Sequence, residues 1–236
     1  MSLDFAHIEK TSLLDFPGEV ASTLFTVGCN FRCPFCYNRS LVIPEELPPQ
    51  RISPEQALTE LSKRKAYVKA AVITGGEPTI HPDLPWFIES LKKEGIKLKL
   101  DTNGTNPEML KELYSNELLD YIAMDIKSSL DHYNEAAGVS VNIADIKEST
   151  QIIRASGVPY EFRTTVVPGL HDLDKIEAIG KWLEGAEHYI LQPFFPKGST
   201  IDKEYAAKKP FEDKALRAMA DTAGPYFRKV ELREYY

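Results

Sequence analysis

Two periods of apolar spacing take turns along this chain. Short runs rich in β-branched and aromatic residues read as strands, and residues 21–27 (Ala-Ser-Thr-Leu-Phe-Thr-Val), followed at once by Gly28, are the clearest case. Similar runs occupy 70–74, 96–101, 121–125, 160–167 and 188–194. Between them the spacing turns helical. Ser53-Pro54-Glu55-Gln56 has a capping-box pattern with proline at the first helical position, and Ala57, Leu58 and Leu61 follow on one face. Asp83 opens a second helix whose stripe is Leu84, Phe87, Ile88 and Leu91, closed by Gly95. Asn106-Pro107 opens a third with Met109, Leu110 and Leu113, and segments 145–156, 172–183 and 211–223 complete the series.

Strands that alternate with helices imply parallel βαβ units with right-handed crossovers. An open doubly wound sheet and a partial barrel both satisfy this pattern. The polar motifs favour the barrel: Cys29 to Cys36, Gly75 to Pro78, Asp101 to Gly104, Asp125 to Lys127, and Gln192 all fall at the C-terminal ends of successive strands, where barrel sites assemble from several loops. The expected fold is α/β, a six-stranded partial (β/α) barrel, in a single domain over residues 1–236. No repeat, low-complexity tract or long linker divides it. The stretch 43–54, with Pro44, Pro48, Pro49 and Pro54, reads as a stiff surface loop.

Composition narrows the classes of function. Of 236 residues, 43% are hydrophobic, enough for a sizeable core, and the formal charge is 28 − 35 = −7. The basic residues form no block, which disfavours nucleic-acid binding. No apolar run approaches the roughly 20 residues of a membrane span. The start, Met1 to Lys10, mixes acid and histidine with its apolar residues and has no basic n-region, so it does not read as a signal peptide. An odd number of cysteines argues against a secreted disulfide framework. The cytoplasm is the expected setting.

Those cysteines carry the chemistry. Cys29, Cys33 and Cys36 are the only ones in the chain, and they fall within eight positions in the spacing C-x3-C-x2-C. Thiolates this close can converge on one inorganic centre, and three of them leave one iron of a four-iron cluster without a protein ligand. Zinc and inert buried thiols are the alternatives. Structural zinc is almost always four-coordinate, however, and none of His7, His81, His132, His171 or His188 follows the loop at finger-like spacing.

The loop resembles that of the radical S-adenosylmethionine (SAM) enzymes, in which SAM chelates the open iron. The aromatic before the third cysteine, Phe35, fits that pattern, and Thr74-Gly75-Gly76-Glu77-Pro78 resembles the superfamily's second glycine-rich motif. Asp101-Thr102-Asn103-Gly104 and Asp125-Ile126-Lys127 resemble motifs of the subgroup that activates glycyl-radical enzymes. Within that subgroup, the segment from Lys10 to Gly18 and the cysteine loop resemble the long form of the anaerobic ribonucleoside-triphosphate reductase activating proteins.

The resemblance assigns Gly75, Gly76, Glu77 and Pro78 to the SAM amino group. Two glycines after a strand would let backbone approach a ligand, Glu77 would accept from an ammonium, and the plain alternative is a strand-to-loop turn. Asp101 and Asp125 each close a strand, as helix caps or as ligands for something positive. In the related activases the matching Asp101, Thr102 and Asp125 lie near SAM and can hold a monovalent cation beside its carboxylate. Lys127 either offers a cation to a carboxylate or is a solvated lysine. Arg163, in a strand suited to burial, either binds a carboxylate ligand or makes a structural salt bridge. Gln192 stands where related activases often present a histidine to the nucleoside of SAM, and its amide can still hydrogen-bond. His81 and His171, beside turn formers, read as structural.

The function implied is a radical SAM activase. An electron from a [4Fe-4S] cluster would cleave SAM to a 5′-deoxyadenosyl radical, which takes a hydrogen atom from a glycine of a partner enzyme. Anaerobic ribonucleotide reductase is the first expected partner; pyruvate formate-lyase or a relative is the second, although no arginine follows Pro17-Gly18 as it usually does in formate-lyase activases. With no second cysteine cluster, electrons would come from a flavodoxin or ferredoxin. A reading from another class is a non-catalytic iron–sulfur electron carrier, which leaves the segments from Gly75 to Pro78 and from Asp101 to Gly104 unexplained.

Overall fold

The computed structural model describes residues 2–196 and 198–233. Its strands are β1 (Phe5–Ser12), β2 (Ala21–Thr26), β3 (Ala70–Gly75), β4 (Lys97–Thr102), β5 (Tyr121–Asp125), β6 (Tyr160–Val166), β7 (His188–Pro193) and β8 (Lys229–Leu232). They form one sheet in sequence order, with β1 antiparallel to β2 and every later pair parallel. Helices α1 (Arg39–Val42), α2 (Pro54–Arg64), α3 (Leu84–Lys93), α4 (Pro107–Ser115), α5 (Tyr133–Ala137), α6 (Ile143–Ala155), α7 (Leu173–Trp182), α8 (Lys203–Ala206) and α9 (Asp213–Ala223) lie along the connections.

The six expected strands are β2 to β7, and the flanking β1 and β8 extend them. Neither flank announces itself in the sequence. In β1 only Phe5 and Ile8 are buried, because register shifts on both sides of the central pairs break the two-residue period. β8 is four residues long and buries none of them fully.

Helix starts follow their caps. Ser53 and Gln56 complete the expected capping box on α2, with Ser53 N donating to Gln56 Oε1 at 2.9 Å. Asn106 accepts from Met109 N at 3.1 Å to open α4, and Asp172 accepts from Lys175 N at 2.9 Å to open α7. α6 begins two residues earlier than its spacing suggested, because Asn142 caps it by accepting from Ala144 N.

Alternation along the strands sorts side chains between two environments. Leu24, Ile73, Leu98, Leu100, Ile122, Met124, Phe162 and Leu191 join the helix stripes, including Phe87, Ile88, Leu110, Ile146 and Ile176, in one core. Burying each such side chain contributes about 1.5–3 kcal/mol. The intervening residues point the other way. Thr23, Phe25, Thr74, Lys99, Asp101, Asp125, Arg163, Thr165 and Gln192 all line one cavity enclosed by the curved sheet. Phe16, Ala21, Ala70 and Val72 form a small separate cluster against Tyr121, with the Phe16 and Tyr121 rings 5.9 Å apart. Among the described residues, no helix is long and apolar enough to cross a membrane.

Candidate active site

The cysteine loop leaves β2 through Gly28, whose φ of 89° suits a residue without a β-carbon. Backbone bonds fix both of its ends. Gly28 N donates to Leu41 O at 2.7 Å, and Gly28 O accepts from Glu77 N at 2.9 Å. That second contact explains Gly76: a β-carbon there would lie 1.9 Å from Gly28 O. The glycine pair therefore serves a close approach between two strand ends of the chain itself. Further along, Arg32 N donates to Ala137 O at 2.9 Å, and a β-carbon on Gly138 would come within 2.0 Å of Arg32 O.

The far side of the loop is strapped by residues before α8. Ile201 N donates to Cys36 O at 3.0 Å and Asp202 N to Pro34 O at 2.9 Å. Arg39 Nη1 holds the strap by donating to the carbonyls of Thr200 and Ile201, each at 3.0 Å. Phe35, buried, meets Phe194 edge to face with centroids 6.3 Å apart.

Cys29, Cys33 and Cys36 line the same cavity, about 460 Å³ in volume. Burial pushes the Cys29 thiol up to about 12, aided by the nearby Glu77, and the Cys33 thiol up to about 11. Cys36 is raised for the same first reason. Unliganded, all three are neutral thiols at physiological pH. All three cysteines border this one cavity, although among the described residues no three His, Cys, Asp or Glu side chains are already gathered tightly enough to hold a metal. The sulfur donor set suits iron–sulfur chemistry, and metal loading would draw the thiols together and release their protons.

Glu77 is buried, 1% exposed, and its carboxylate is engaged within the chain. Oε1 accepts from Thr79 N at 3.0 Å, Thr79 Oγ1 at 2.6 Å and Thr102 Oγ1 at 2.7 Å; Oε2 accepts from Asn103 N at 2.6 Å. Burial raises its pKa, and these hydrogen bonds oppose the rise. The segment from Gly75 to Pro78 is thus the turn that ties β3 to the loop after β4. Pro78 is itself buried at the start of a short 3-10 turn capped by Glu77. Asn103 Nδ2 extends the tie to the cysteine loop by donating to Asn30 Oδ1 at 2.8 Å.

Beneath these loops lies a buried ionic network. Parallel register sets Arg163 directly beside Asp125. Arg163 Nε donates to Asp125 Oδ1 at 2.9 Å, and its Nη1 donates to Asp101 Oδ2 at 3.1 Å. Lys99 Nζ reaches Asp101 Oδ1 at 2.5 Å, and Lys127 Nζ reaches Asp125 Oδ2 at 3.1 Å. Burial works against the Asp125 carboxylate, but Arg163 and Lys127 outweigh it and hold the carboxyl at about 2. Below them Glu161 takes a two-point contact from Arg233, Nη1 at 3.0 Å and Nη2 at 3.1 Å.

Thr102 Oγ1 is turned to Glu77, and the Asp101 and Asp125 carboxylates face each other across the Arg163 guanidinium. Arg163 makes salt bridges to both carboxylates, and Lys127 is an ion-paired lysine with little solvent exposure. His171 is structural, as expected. Its Nδ1 accepts from Val167 N at 3.0 Å, so Nε2 carries the proton and donates to Lys127 O at 2.9 Å. His81 is buried and lies outside the cavity lining. Gln192, on β7, reaches the cavity beside Phe194.

Sequence reasoning missed Lys99, Glu161 and Arg233. The alternation Lys97-Leu98-Lys99-Leu100-Asp101 would have revealed the first, since it puts Lys99 and Asp101 on one face. Glu161 stands likewise two residues from Arg163. Arg233 had no such signal, because it follows a strand that was not foreseen.

The comparisons agree with this geometry. Residues 23–183 match the Radical SAM superfamily. A Methanocaldococcus jannaschii protein named "Putative glycyl-radical enzyme activating enzyme" is 32% identical over 231 residues, covering 96% of this chain and 94% of the relative. The pyruvate formate-lyase-activating enzyme of Staphylococcus epidermidis is 25% identical over 205 residues, covering 81% of this chain and 80% of the relative. Among solved structures, Streptococcus suis SuiB bound to S-adenosylmethionine superposes with a TM-score of 0.68 at 14% identity, over 89% of this chain and 48% of that one. QueE from Escherichia coli superposes with a TM-score of 0.59 at 17% identity, over 100% and 94%. The partial barrel, the three thiols bordering one cavity and these matches together make the chain a member of the radical SAM superfamily, whose enzymes use a [4Fe-4S] cluster and S-adenosylmethionine.

Proposed function

We propose that the chain works as a single radical SAM domain, residues 1–236, that installs a glycyl radical on a partner enzyme. The observation that carries this reading is where the cavity opens. Its wall holds the three thiols, and its rim includes Leu14, Tyr37 and Phe195, which are 73%, 54% and 41% exposed. Large apolar side chains left in water around a reaction cavity suit a macromolecular substrate whose loop covers them on docking. A site for a small metabolite has no need of them.

Cys29, Cys33 and Cys36 would hold the cluster, with Phe35 buried among them against Phe194. The cluster and SAM, when bound, supply one-electron cleavage of the sulfonium and the 5′-deoxyadenosyl radical that abstracts hydrogen. The chain's own residues bind and orient. Glu77 Oε2, with one hydrogen bond from Asn103 N, has a lone pair to offer the SAM ammonium beside Gly75, Gly76 and Pro78. Lys127 and Arg163, held by Asp125 and Asp101, present positive charge to the carboxylate of SAM, with Thr102 fixing the loop between them. Gln192 offers its amide on the nucleoside side. Closure by the partner would exclude water, which otherwise competes for these contacts.

The partner favoured is anaerobic ribonucleotide reductase, on the strength of the segment from Lys10 to Gly18. The name of the Staphylococcus relative favours a pyruvate formate-lyase as the second reading. With only three cysteines in the chain, the electron would come from a flavodoxin or ferredoxin. The test is isotopic. The reduced protein should cleave SAM slowly alone, and with the right partner should give a glycine-centred radical, deuterium from the labelled glycine appearing in 5′-deoxyadenosine. Deuterium retained by the partner while a small metabolite is consumed would overturn the activase reading. Absence of any SAM cleavage would favour an electron carrier.

A further inference from the structure

The positive charge between Asp101 and Asp125 belongs to the chain. Both oxygens of each carboxylate meet a fixed cation: Lys99 Nζ on Asp101 Oδ1, Arg163 Nη1 on Asp101 Oδ2, Arg163 Nε on Asp125 Oδ1 and Lys127 Nζ on Asp125 Oδ2. The guanidinium is only 10% exposed and Asp101 13%, whereas Asp125 is 34% exposed at the cavity. A third carboxylate, Glu161 Oε1, lies 3.8 Å from Arg163 Nη1 but is itself held by Arg233. An alkali ion entering here would have to displace an ammonium or a guanidinium from a buried ion pair. Without such a displacement it would add unmatched charge to the interior, which is costly. Thr102 Oγ1 donates to Glu77 and accepts from Gly104 N at 3.1 Å, so one lone pair is left on that oxygen.

We propose that Arg163 is a positioning residue that supplies, as a permanent part of the fold, the charge a monovalent cation would otherwise bring to this cavity, so that the protein binds SAM without potassium or sodium. The register of β5 and β6 makes the arrangement durable. Arg163 is cross-strand neighbour to Asp125, and Ala123, the residue beside Asp101, is small enough for the guanidinium to reach across it. A guanidinium also bridges two carboxylates at fixed angles, which a spherical ion does not. The effect on SAM rests on the reading that SAM occupies this cavity; the absence of an ion site does not.

Two measurements separate these claims. On the metal-free protein under argon, the sodium-23 linewidth in sodium chloride should match that of a protein-free control of equal viscosity. Arg163→Gln leaves two carboxylates short of a partner and should broaden the line, with added potassium reversing the change. On the cluster-loaded parent protein, SAM affinity should be the same in potassium chloride, sodium chloride and choline chloride at equal ionic strength. Affinity about tenfold tighter in one alkali salt than in choline, the size of one charge-assisted contact, would overturn the proposal. So would sodium broadening by the parent protein that potassium reverses. Should SAM fail to bind in every salt while the parent shows no sodium broadening, the SAM reading fails and the built-in charge stands. Arg163→Lys, which restores the charge without the fork, should abolish the broadening seen with glutamine; the parent measurements decide the matter if neither variant folds.

Discussion

Glu77 is the most exacting place to test the reasoning, because sequence and structure assign it different work. Its motif points to the SAM ammonium, whereas in the fold four donors from the chain meet its one buried carboxylate. Glu77→Ala removes the acceptor from two hydroxyls, which can rotate, and from the amides of Thr79 and Asn103, which cannot. Each buried donor left without a partner costs about 1–3 kcal/mol, so the two amides alone account for about 2–6 kcal/mol. Some of this is offset because the alanine variant no longer desolvates a carboxylate. The net expectation is a loss of about 3–5 kcal/mol, the range for breaking a buried network from one side. Glu77→Gln keeps one carbonyl oxygen but turns an amide toward Asn103 N, and should lose about 1–2 kcal/mol. Urea unfolding of the metal-free, fully reduced protein reads this directly, as a lowered midpoint at unchanged slope. A carboxylate kept only for SAM would leave the metal-free variant as stable as its parent. A difference below about 0.5 kcal/mol would therefore refute the structural role.

Replacing any one of Cys29, Cys33 or Cys36 by alanine should abolish the uptake of about four irons per chain on anaerobic reconstitution; stoichiometric zinc without iron would count against the cluster. Gly76→Ala drives a β-carbon into Gly28 O and should cost about 1–3 kcal/mol while disordering the cysteine loop, seen as faster hydrogen exchange at Gly28 and Glu77. For Asp125 the folded carboxyl lies near 2, below its ordinary 3.8, so its contribution is complete above the ordinary value and fades as pH falls from about 4 through about 2. Because 34% of that side chain is exposed, the contribution is about 1–2 kcal/mol, and Asp125→Asn should flatten the fall in melting temperature across that window. Parallel curves for parent and variant would contradict the assignment.

The sequence disclosed the helices and central strands because both periods are strong there and the caps are local: Ser53 with Gln56, Asn106 and Asp172 act within one turn. Edge strands were illegible for the same reason in reverse, since β1 and β8 are held by one neighbour each and bury too little to keep a pattern. The site divided along similar lines. The thiols were plain from spacing, because a loop must gather them in sequence to gather them in space. The partners of Asp101 were not, because Arg163 reaches it from two strands away and only the assembled register brings them together. Glu77 was legible as important, but its partners within the chain were not, since Thr102 and Asn103 arrive from another loop.

The strap across the cysteine loop has a consequence for the protein's life in air. An exposed iron–sulfur centre is destroyed by oxygen, and in a small metal-dependent fold that loss is also the loss of the structure. Here the bonds from Arg32, Cys36, Ile201 and Asp202 hold the loop with the chain's own atoms, and the thiols keep their places as neutral, poorly nucleophilic groups. The loop's backbone is thus fixed by bonds that need no metal, and the protein should keep its fold, and its capacity to take up iron and sulfide afresh, after a cluster is lost.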